Sequence, residues 1–354
     1  MCSNTCECNP IEAGSSLSNN SSRSCRKCGG TPYIILDKVH IHCKECFLEF
    51  CNRKIRSTIG KSKLVKNNDP ILIAYSGGPS SCALVDLIWN SIQSTTGRQQ
   101  NFRPSLLHVD VQSLLQDEHH EIDTETRVKN LSRLLDRLST TYPAWPIYWS
   151  TIESSFCPAE SSGQLLQYAT YDRMNRVEHH LHLMDDPTAS HKMWDSVRAK
   201  RDPTDRQQYV RDKIAEYINY LASRISASRV SPQGDCSLGS ISYLFTASSS
   251  DRLANNLLVD VIIGRGATIC NAVRVCDPRP EIPLMRPMRD FSKKEVVFYL
   301  HARGLLPQVV PDKLTSKSRK SSIQVATENF LTKLYVDYPS TYSTLLRTGN
   351  KMQD

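Results

Sequence analysis

The sequence predicts an α/β fold, in which helices cover both faces of a parallel sheet, preceded by a small N-terminal four-cysteine zinc module. Three features support this prediction. Two Cys-x-x-Cys pairs lie within the first 46 residues. From residue 70 onward, short apolar segments alternate with amphipathic ones, which is the pattern of repeated strand–helix units. A Ser-Gly-Gly turn joins the first apolar segment to the first amphipathic one, and such turns let the backbone approach a ligand closely.

The composition is that of a soluble protein with room for about two domains. Of its 354 residues, 39% are hydrophobic and 23% charged, and the net charge of +8 favours an anionic partner. No apolar run approaches the roughly 20 residues that span a bilayer, and residues 1–6 lack the apolar core of a signal peptide. We therefore expect a cytoplasmic protein without a membrane partner. Thirteen cysteines in such a protein indicate metal binding rather than disulfides.

Residues 1–24 are rich in Ser and Asn and carry almost no aliphatic side chains, which predicts a disordered tail. Its three cysteines, Cys2, Cys6 and Cys8, are expected to be free thiols. We expect a zinc module with a basic helix over residues 25–66 and the α/β domain over residues 67–354.

The four cysteines of the two pairs predict a structural zinc site. Cys25 and Cys28 are followed, after fourteen intervening residues, by Cys43 and Cys46. Each pair can place two thiolates on one ion, and four sulfurs at about 2.3 Å complete a tetrahedral zinc site. A redox pair is the alternative, but two pairs without a thioredoxin-like unit favour zinc. Neighbouring residues that are not expected to be ligands are His40 and His42, in a predicted strand at 39–42, and Cys51.

A basic segment follows the second cysteine pair. Residues 47–56 predict a helix, and residues 51–66 contain six basic residues and no acidic one. A solvated helix surface is one interpretation. The excess of positive charge beside a zinc module favours the other, contact with a nucleic-acid backbone. We therefore predict an RNA-binding patch formed by Arg53, Lys54 and Arg56.

The Ser-Gly-Gly turn is the strongest candidate for a ligand site in the α/β domain. It ends a predicted buried strand at 71–74 and precedes a predicted helix at 82–89, for which Ser80 and Ser81 are good N-cap residues. Backbone N–H groups and the positive end of the helix dipole would bind an anion there, and phosphate is the expected one. An ordinary strand-to-helix turn is the alternative. The candidate ligand-binding residues are Ser76, Gly77, Gly78, Ser80 and Ser81.

Further strands are predicted at 106–111, 146–149 and 242–247. Further helices are predicted at 126–138, at 205–227, along a stripe from Leu253 to Val261, and from the capping box of Ser292 and Glu295 to Gly304. Because the carboxyl ends of parallel strands meet at one edge, the Ser-Gly-Gly turn, the end of 106–109 and residues 246–248 are expected to line one cleft. Residues 153–204 are a polar insertion, whose histidines 179, 180 and 182 are expected on a surface rather than on a metal.

The turn resembles the PP-loop of adenine nucleotide alpha hydrolase-like domains, whose pattern is Ser-Gly-Gly-x-Asp-Ser. Ser76, Gly77, Gly78 and Ser81 match, and Ser80 stands where the pattern has Asp. Downstream lie Thr-Ala-Ser at 246–248, Gly-Arg-Gly at 264–266, Arg-Pro-Met-Arg-Asp at 286–290, and Pro-Ser-Thr and Arg-Thr-Gly at 339–341 and 347–349. Over about residues 25–351, this series resembles the cytoplasmic tRNA 2-thiolation protein 2 family.

The resemblance implies a heterodimer with a catalytic tRNA thiouridylase subunit. The complex puts sulfur on the 2-position of the wobble uridine of tRNAs of the Lys, Glu and Gln type. ATP activates the uridine oxygen, and a thiocarboxylated ubiquitin-like carrier provides the sulfur. Alternatives are a non-enzymatic zinc-containing tRNA-binding protein and an ATP-dependent ligase subunit of the same fold.

Catalytic relatives use a Cys-x-x-Cys pair in the ATP domain and a further cysteine beyond it. Here the later cysteines contain no such pair, and residues 308–312 contain no cysteine. Ser80 also removes a carboxylate that could help to hold Mg²⁺ on phosphates. We expect a chain that lacks the catalytic cysteines, with structural zinc and with ATP and Mg²⁺ binding that is possible but degenerate. The later cysteines are Cys82, Cys157, Cys236, Cys270 and Cys276.

Overall fold

The computed structural model describes residues 24–36, 38–94, 101–115, 124–156, 168–172, 187–230, 239–266, 269–307 and 322–352. The chain divides into two compact units, Met1–Glu49 and Phe50–Asp354, and the domain boundary at residue 66 stays a prediction. Several sequence predictions concern residues outside the described ranges. These are the tail with Cys2, Cys6 and Cys8, the histidines 179, 180 and 182, Cys157, Cys236 and the segment 308–312.

The first unit is built on a short hairpin. Strand β1 (Ile34–Leu36) pairs antiparallel with β2 (His40–His42), which confirms the strand predicted around these histidines. Lys38 has a φ of +63° between the two strands. Helix α1 (Lys44–Ser62) begins in this unit and ends in the second one.

The second unit contains a seven-stranded sheet. Its spatial order is β6-β5-β4-β3-β7-β9-β8, in which β5, β4, β3, β7 and β9 are parallel and the two edge strands are antiparallel. The strands are β3 (Pro70–Ala74), β4 (Arg103–Asp110), β5 (Ile147–Thr151), β6 (Ala169–Tyr171), β7 (Tyr243–Phe245), β8 (Cys276–Asp277) and β9 (Leu284–Met285).

Helices cover both faces of this sheet. They are α2 (Pro79–Gln93), α3 (Thr124–Thr141), α4 (Pro187–Arg198), α5 (Pro203–Val230), α6 (Ser250–Ile262), α7 (Ile269–Val273), α8 (Lys293–Arg303), α9 (Ile323–Asp337) and α10 (Thr341–Lys351). Helices α4 and α5 pack on the face that carries Leu72 and Leu107. Ile71 and Ile73 point to the opposite face and are equally buried, as alternation along β3 requires. No helix among the described residues is both long and apolar enough to cross a membrane.

Both ends of α8 form as predicted. The Ser292 hydroxyl accepts the Glu295 N–H, and the Glu295 carboxylate accepts the Ser292 N–H at 2.7 Å, which completes a capping box. Gly304 ends α8 in the left-handed region with a φ of +66°, where a residue without Cβ is unstrained.

Segments without a clear sequence pattern contribute more structure than their composition indicates. The polar stretch 153–204 contains β6 and α4, and Met193 and Val197 of α4 are buried in the core. Strands β8 and β9 have two residues each, which is too short for a periodic signal. Helices α9 and α10 pack with α6 and α7 through Leu331 and Leu346.

Candidate functional site

The PP-loop candidate lies where the order of the strands changes direction. From β3 the chain proceeds to β4 and β5 on one side of the sheet and returns to β7 on the other. The carboxyl ends of β4, β3 and β7 are therefore neighbours, as the sequence predicts. Ligands of open parallel sheets bind in the crevice at such a switch point.

The turn itself has the expected tight shape, but the helix begins earlier than predicted. Gly77 has a φ of +78°, which only glycine adopts without strain. Gly78 is the N-cap of α2 and Pro79 occupies the first turn. The prediction of Ser80 or Ser81 as N-cap is therefore wrong: proline favours the first helical position because its φ is already helical and it needs no N–H partner.

The serines of the loop bond to one another and to the turn. The Ser81 hydroxyl donates to the Gly78 carbonyl at 2.9 Å, and its oxygen lies 3.2 Å from the Ser76 Oγ. Ser81 is buried, Ser80 is half-buried and Ser76 is exposed. The loop can present hydroxyl and N–H groups to an anion. Pro79 removes one of the N–H donors at the start of a helix, and Ser80 carries no charge to hold a divalent cation.

A small pocket adjoins the loop at the end of β4. It is lined by the polar residues Ser76, His108, Asp110, Gln112 and Asn130 and by apolar neighbours. The His108 Nδ1 lies 2.8 Å from the Tyr75 carbonyl oxygen. Because a carbonyl only accepts, Nδ1 carries the proton, and burial lowers the pKa of His108 although Asp110 opposes the effect. The neutral ring therefore presents Nε2 as an acceptor.

A buried ionic cluster, for which the sequence has no recognisable motif, lies beside this pocket. The Arg127 Nε donates to Asp110 at 2.6 Å, and its two terminal nitrogens donate to Glu153 at 2.5 and 3.0 Å. Burial by itself lowers the pKa of Arg127, but Asp110 and Glu153 outweigh it and raise that pKa. Asp110 also accepts the Gln112 N–H at 2.9 Å. The one signal available in the sequence is a carboxylate, Asp110, at the carboxyl end of a predicted strand.

The four predicted metal ligands converge in the first unit. The Sγ atoms of Cys25, Cys28, Cys43 and Cys46 all lie within 4.8 Å of one another, and no second cluster of potential metal ligands occurs among the described residues. Gly29, with a φ of +75°, closes the first turn of this cluster, and its N–H donates to the Cys25 carbonyl.

The chemistry of this cluster fits a tetrahedral metal. Zinc with 2.3 Å bonds separates its sulfurs by about 3.8 Å, and the Cys28 and Cys43 Sγ atoms are 3.5 Å apart. Backbone N–H groups of Cys43 and Cys28 lower the pKa of Cys25 to about 6, so that one thiolate is present at neutral pH. A hydrogen bond with the Cys43 thiol and, to a smaller extent, burial raise the pKa of Cys46. A bound cation would favour the thiolate form of Cys46.

The cysteines described outside that cluster belong to no second group of three or more potential metal ligands. Cys51 is fully buried, and burial raises its pKa. The Cys82 Sγ lies 3.2 Å from the Tyr75 hydroxyl. Burial also raises the pKa of Cys276, and Cys270 is half-buried on α7. Reactive cysteines are thiolates with a lowered pKa, whereas burial raises the pKa of both Cys51 and Cys276.

The predicted RNA-binding residues have different environments on α1. Arg53 is exposed, and the Arg56 Nε donates to the Asn52 carbonyl at 3.1 Å. The Lys54 ammonium instead donates to Glu295 at 2.6 Å, with only 6% of the Glu295 side chain exposed. It also lies 4.9 Å from the centre of the Phe291 ring. Lys54 therefore has a structural partner in the capping box of α8.

The motifs that carry the family resemblance have structural roles in the C-terminal helices. Arg286 donates to the backbone carbonyls of Asn271 and Arg274 at 3.1 Å. Arg289 donates to the carbonyls of Val273 and Leu346. A Cβ on Gly349 would overlap the Leu257 Cδ1 and come within 3.1 Å of the Val273 Cγ2. The two motifs thus hold α6, α7 and α10 together.

No protein-family model matches the chain. Curated relatives do. Cytoplasmic tRNA 2-thiolation protein 2 of Danio rerio is 26% identical over 93% of this chain and 67% of its own length. Protein 2-B of Xenopus laevis is 29% identical over 93% and 68% of the two chains. The Drosophila mojavensis protein is 28% identical over 93% and 71%.

Among solved structures, the U34-tRNA thiolase NcsA from Methanococcus maripaludis, with its [4Fe-4S] cluster, is similar with a TM-score of 0.59. The similarity covers 94% of this chain and 88% of NcsA at 15% sequence identity, and at that identity it concerns the fold. The predicted PP-loop α/β fold is thereby confirmed. Over 93% of its length this chain is similar in sequence to proteins named cytoplasmic tRNA 2-thiolation protein 2, as its motifs predicted.

Proposed function

We propose that this chain is a cytoplasmic subunit of the complex that puts sulfur on the 2-position of the wobble uridine of tRNAs of the Lys, Glu and Gln type. The observation that supports this function best is the sequence similarity to tRNA 2-thiolation proteins along 93% of the chain. The loop at the switch point of a thiolase-like fold agrees with it.

In this proposal the chain supports the chemistry and a catalytic thiouridylase subunit performs it. ATP activates the uridine oxygen, and a thiocarboxylated ubiquitin-like carrier donates the sulfur. Among the described residues the four-cysteine cluster is the one group of three or more potential metal ligands, and burial raises the pKa of Cys51 and Cys276 outside it. The loop has a neutral Ser80 at its acidic position. Both features favour a partner-dependent role.

Depletion of the chain from cells tests the function directly. We expect mass analysis to find the wobble uridine of the affected tRNAs without its 2-sulfur, while other modifications persist. The chain should also co-purify with a thiouridylase subunit. Normal 2-thiouridine after complete depletion would refute the proposal.

A second experiment concerns the nucleotide loop and uses matched variants at Ser80. ATP binding by the wild-type chain should be weak alone. The Ser80→Asp variant should gain Mg²⁺-dependent affinity, because a carboxylate can help to hold the cation on the phosphates. The Ser80→Asn variant should not gain this affinity, because asparagine has the shape of aspartate without its charge. Tight ATP binding and pyrophosphate release by the wild-type chain without RNA would instead favour a ligase subunit.

Zinc in the four-cysteine cluster and RNA on α1 complete the proposal. The zinc ligands are Cys25, Cys28, Cys43 and Cys46, and the RNA patch consists of Arg53, Lys54 and Arg56. Because Lys54 forms an ion pair with Glu295, it is tested apart from the two arginines. The Arg53→Gln, Arg56→Gln double variant should weaken tRNA binding and flatten its salt dependence. Lys54→Gln should affect stability more than binding. Unchanged affinity and salt slope in the double variant would remove the patch from the RNA site.

A further inference from the structure

A second group of lysines lies at the opposite end of the sheet from the loop. Lys61, Lys63 and Lys66 are all exposed, and none of them has an ion-pair partner within the described ranges. Their segment crosses the amino ends of the central strands. The Tyr243 hydroxyl at the start of β7 donates to the Leu64 carbonyl at 3.1 Å, and the Arg103 N–H at the start of β4 donates to the Asp69 carbonyl.

A positive charge from a neighbouring strand also faces this segment. The Arg103 guanidinium donates to the Asn68 carbonyl at 2.8 Å and so lies against the same loop. The nearest acid in the segment, Asp69, has a carboxylate oxygen that accepts the Lys66 backbone N–H at 2.7 Å. The lysines therefore form a basic strip with a single acid at its edge.

The backbone at the centre of this strip is strained. Lys63 follows the end of α1 with a φ of +55°, a conformation that glycine or asparagine adopts at helix ends with little or no penalty. A lysine in a left-handed conformation costs stability that glycine or asparagine would largely avoid. An outlier of this kind motivates a functional hypothesis for the side chain.

We propose that Lys61, Lys63 and Lys66 form a second contact for the RNA backbone, separate from the patch that Arg53, Lys54 and Arg56 form earlier on α1. The inference rests on the proposed role in tRNA thiolation. RNA is favoured over a protein partner because lysine is depleted in protein–protein interfaces. The strip also contains only one exposed large apolar residue, Leu64. Lysines without carboxylate partners are, in contrast, typical phosphate contacts.

The position of the strip defines which part of the RNA it contacts. Strand β3 has five residues between the two ends of the sheet, which corresponds to about 17 Å at 3.3 Å per residue. One strand of a duplex advances about 3.4 Å per nucleotide along its axis. An RNA whose wobble base lies at the Ser-Gly-Gly loop would therefore reach the strip with its stem, about five base pairs away.

The experiment compares two RNAs on the full-length chain. We expect the Lys61→Gln, Lys63→Gln, Lys66→Gln variant to bind full-length tRNA at least tenfold more weakly than wild type at about 0.1 M salt. Its logarithmic salt slope should be shallower by about 2 to 3, because each duplex phosphate contact contributes about 0.9. Binding of an anticodon stem–loop with three base pairs should change little.

A single substitution separates charge from fold. Lys63→Asn removes the charge and places a residue that tolerates positive φ. RNA binding should therefore fall several-fold while the unfolding midpoint stays the same or rises.

Wild-type affinity for full-length tRNA in the triple variant or in Lys63→Asn would overturn the inference. An equal loss of affinity for the short stem–loop would also overturn it. Intact RNA binding with weakened binding of the partner subunit would also overturn it and assign the strip to a protein. If the wild-type chain binds neither RNA, the failure lies in the proposed RNA-binding function itself.

Discussion

The buried cluster of Arg127, Asp110 and Glu153 is predicted to stabilise the edge of the sheet beside the pocket. Only 1% of the Asp110 side chain and 2% of the Glu153 side chain are exposed. Arg127→Met keeps a side chain of related length and removes three hydrogen bonds to these carboxylates. Removing one partner of a buried pair typically costs about 3 to 5 kcal/mol, because the other charge stays buried without compensation. We expect a loss of stability in this range.

Tryptophan fluorescence during urea unfolding measures this loss. All four tryptophans, at positions 89, 145, 149 and 194, belong to the second unit, so the signal does not depend on the zinc cluster. Lys129→Met is the matched control on α3, since Lys129 pairs with Glu125 in an exposed position and such pairs contribute little. The triple variant Arg127→Met, Asp110→Asn, Glu153→Gln leaves no charge in the cluster. It should lose less free energy of unfolding than Arg127→Met alone. A loss of under about 1 kcal/mol for Arg127→Met, or a loss no larger than that of the control, would show that the cluster does not hold this edge of the sheet.

Three further predictions follow from the packing, the metal cluster and the buried histidine. Gly349→Ala should lower the unfolding midpoint, because overpacking costs about 1 to 3 kcal/mol against a gain of about 1 kcal/mol in helix propensity; a higher midpoint would contradict the contact with Leu257. Cys25→Ser should lower the zinc content measured by mass spectrometry, whereas Cys276→Ser should leave it intact; full zinc content in the first variant would refute the ligand assignment. Burial lowers the pKa of His108, so below about pH 6.5 the unfolded chain binds a proton that the folded one does not, and stability falls by up to about 1.4 kcal/mol per pH unit. The stability advantage of wild type over His108→Gln should therefore shrink between pH 7 and pH 5, and a constant difference would show that the ring is not neutral.

Residues close in sequence determined much of this fold without help from the rest of the chain. The capping box from Ser292 to Glu295 and the stop at Gly304 depend on contacts within one or two helical turns, and both were predicted. The apolar run of β3 and the spacing of the four cysteines act over similarly short distances. The resemblance to tRNA 2-thiolation proteins also follows from such local motifs.

Contacts between distant residues were decided only by the tertiary structure. Lys54 pairs with Glu295, 241 positions away, which changes the interpretation of a residue that the sequence places in a basic patch. Arg127 meets Asp110 and Glu153 only because β4, α3 and the end of β5 converge at one edge of the sheet. Strands β8 and β9 exist only because neighbours provide hydrogen-bond partners for two residues each. Hydrophobic periodicity and capping depend on residues within one helix or strand, so they can be recognised in the sequence. A buried ion pair depends on which helices and strands the chain brings together, and no local sequence pattern contains that information.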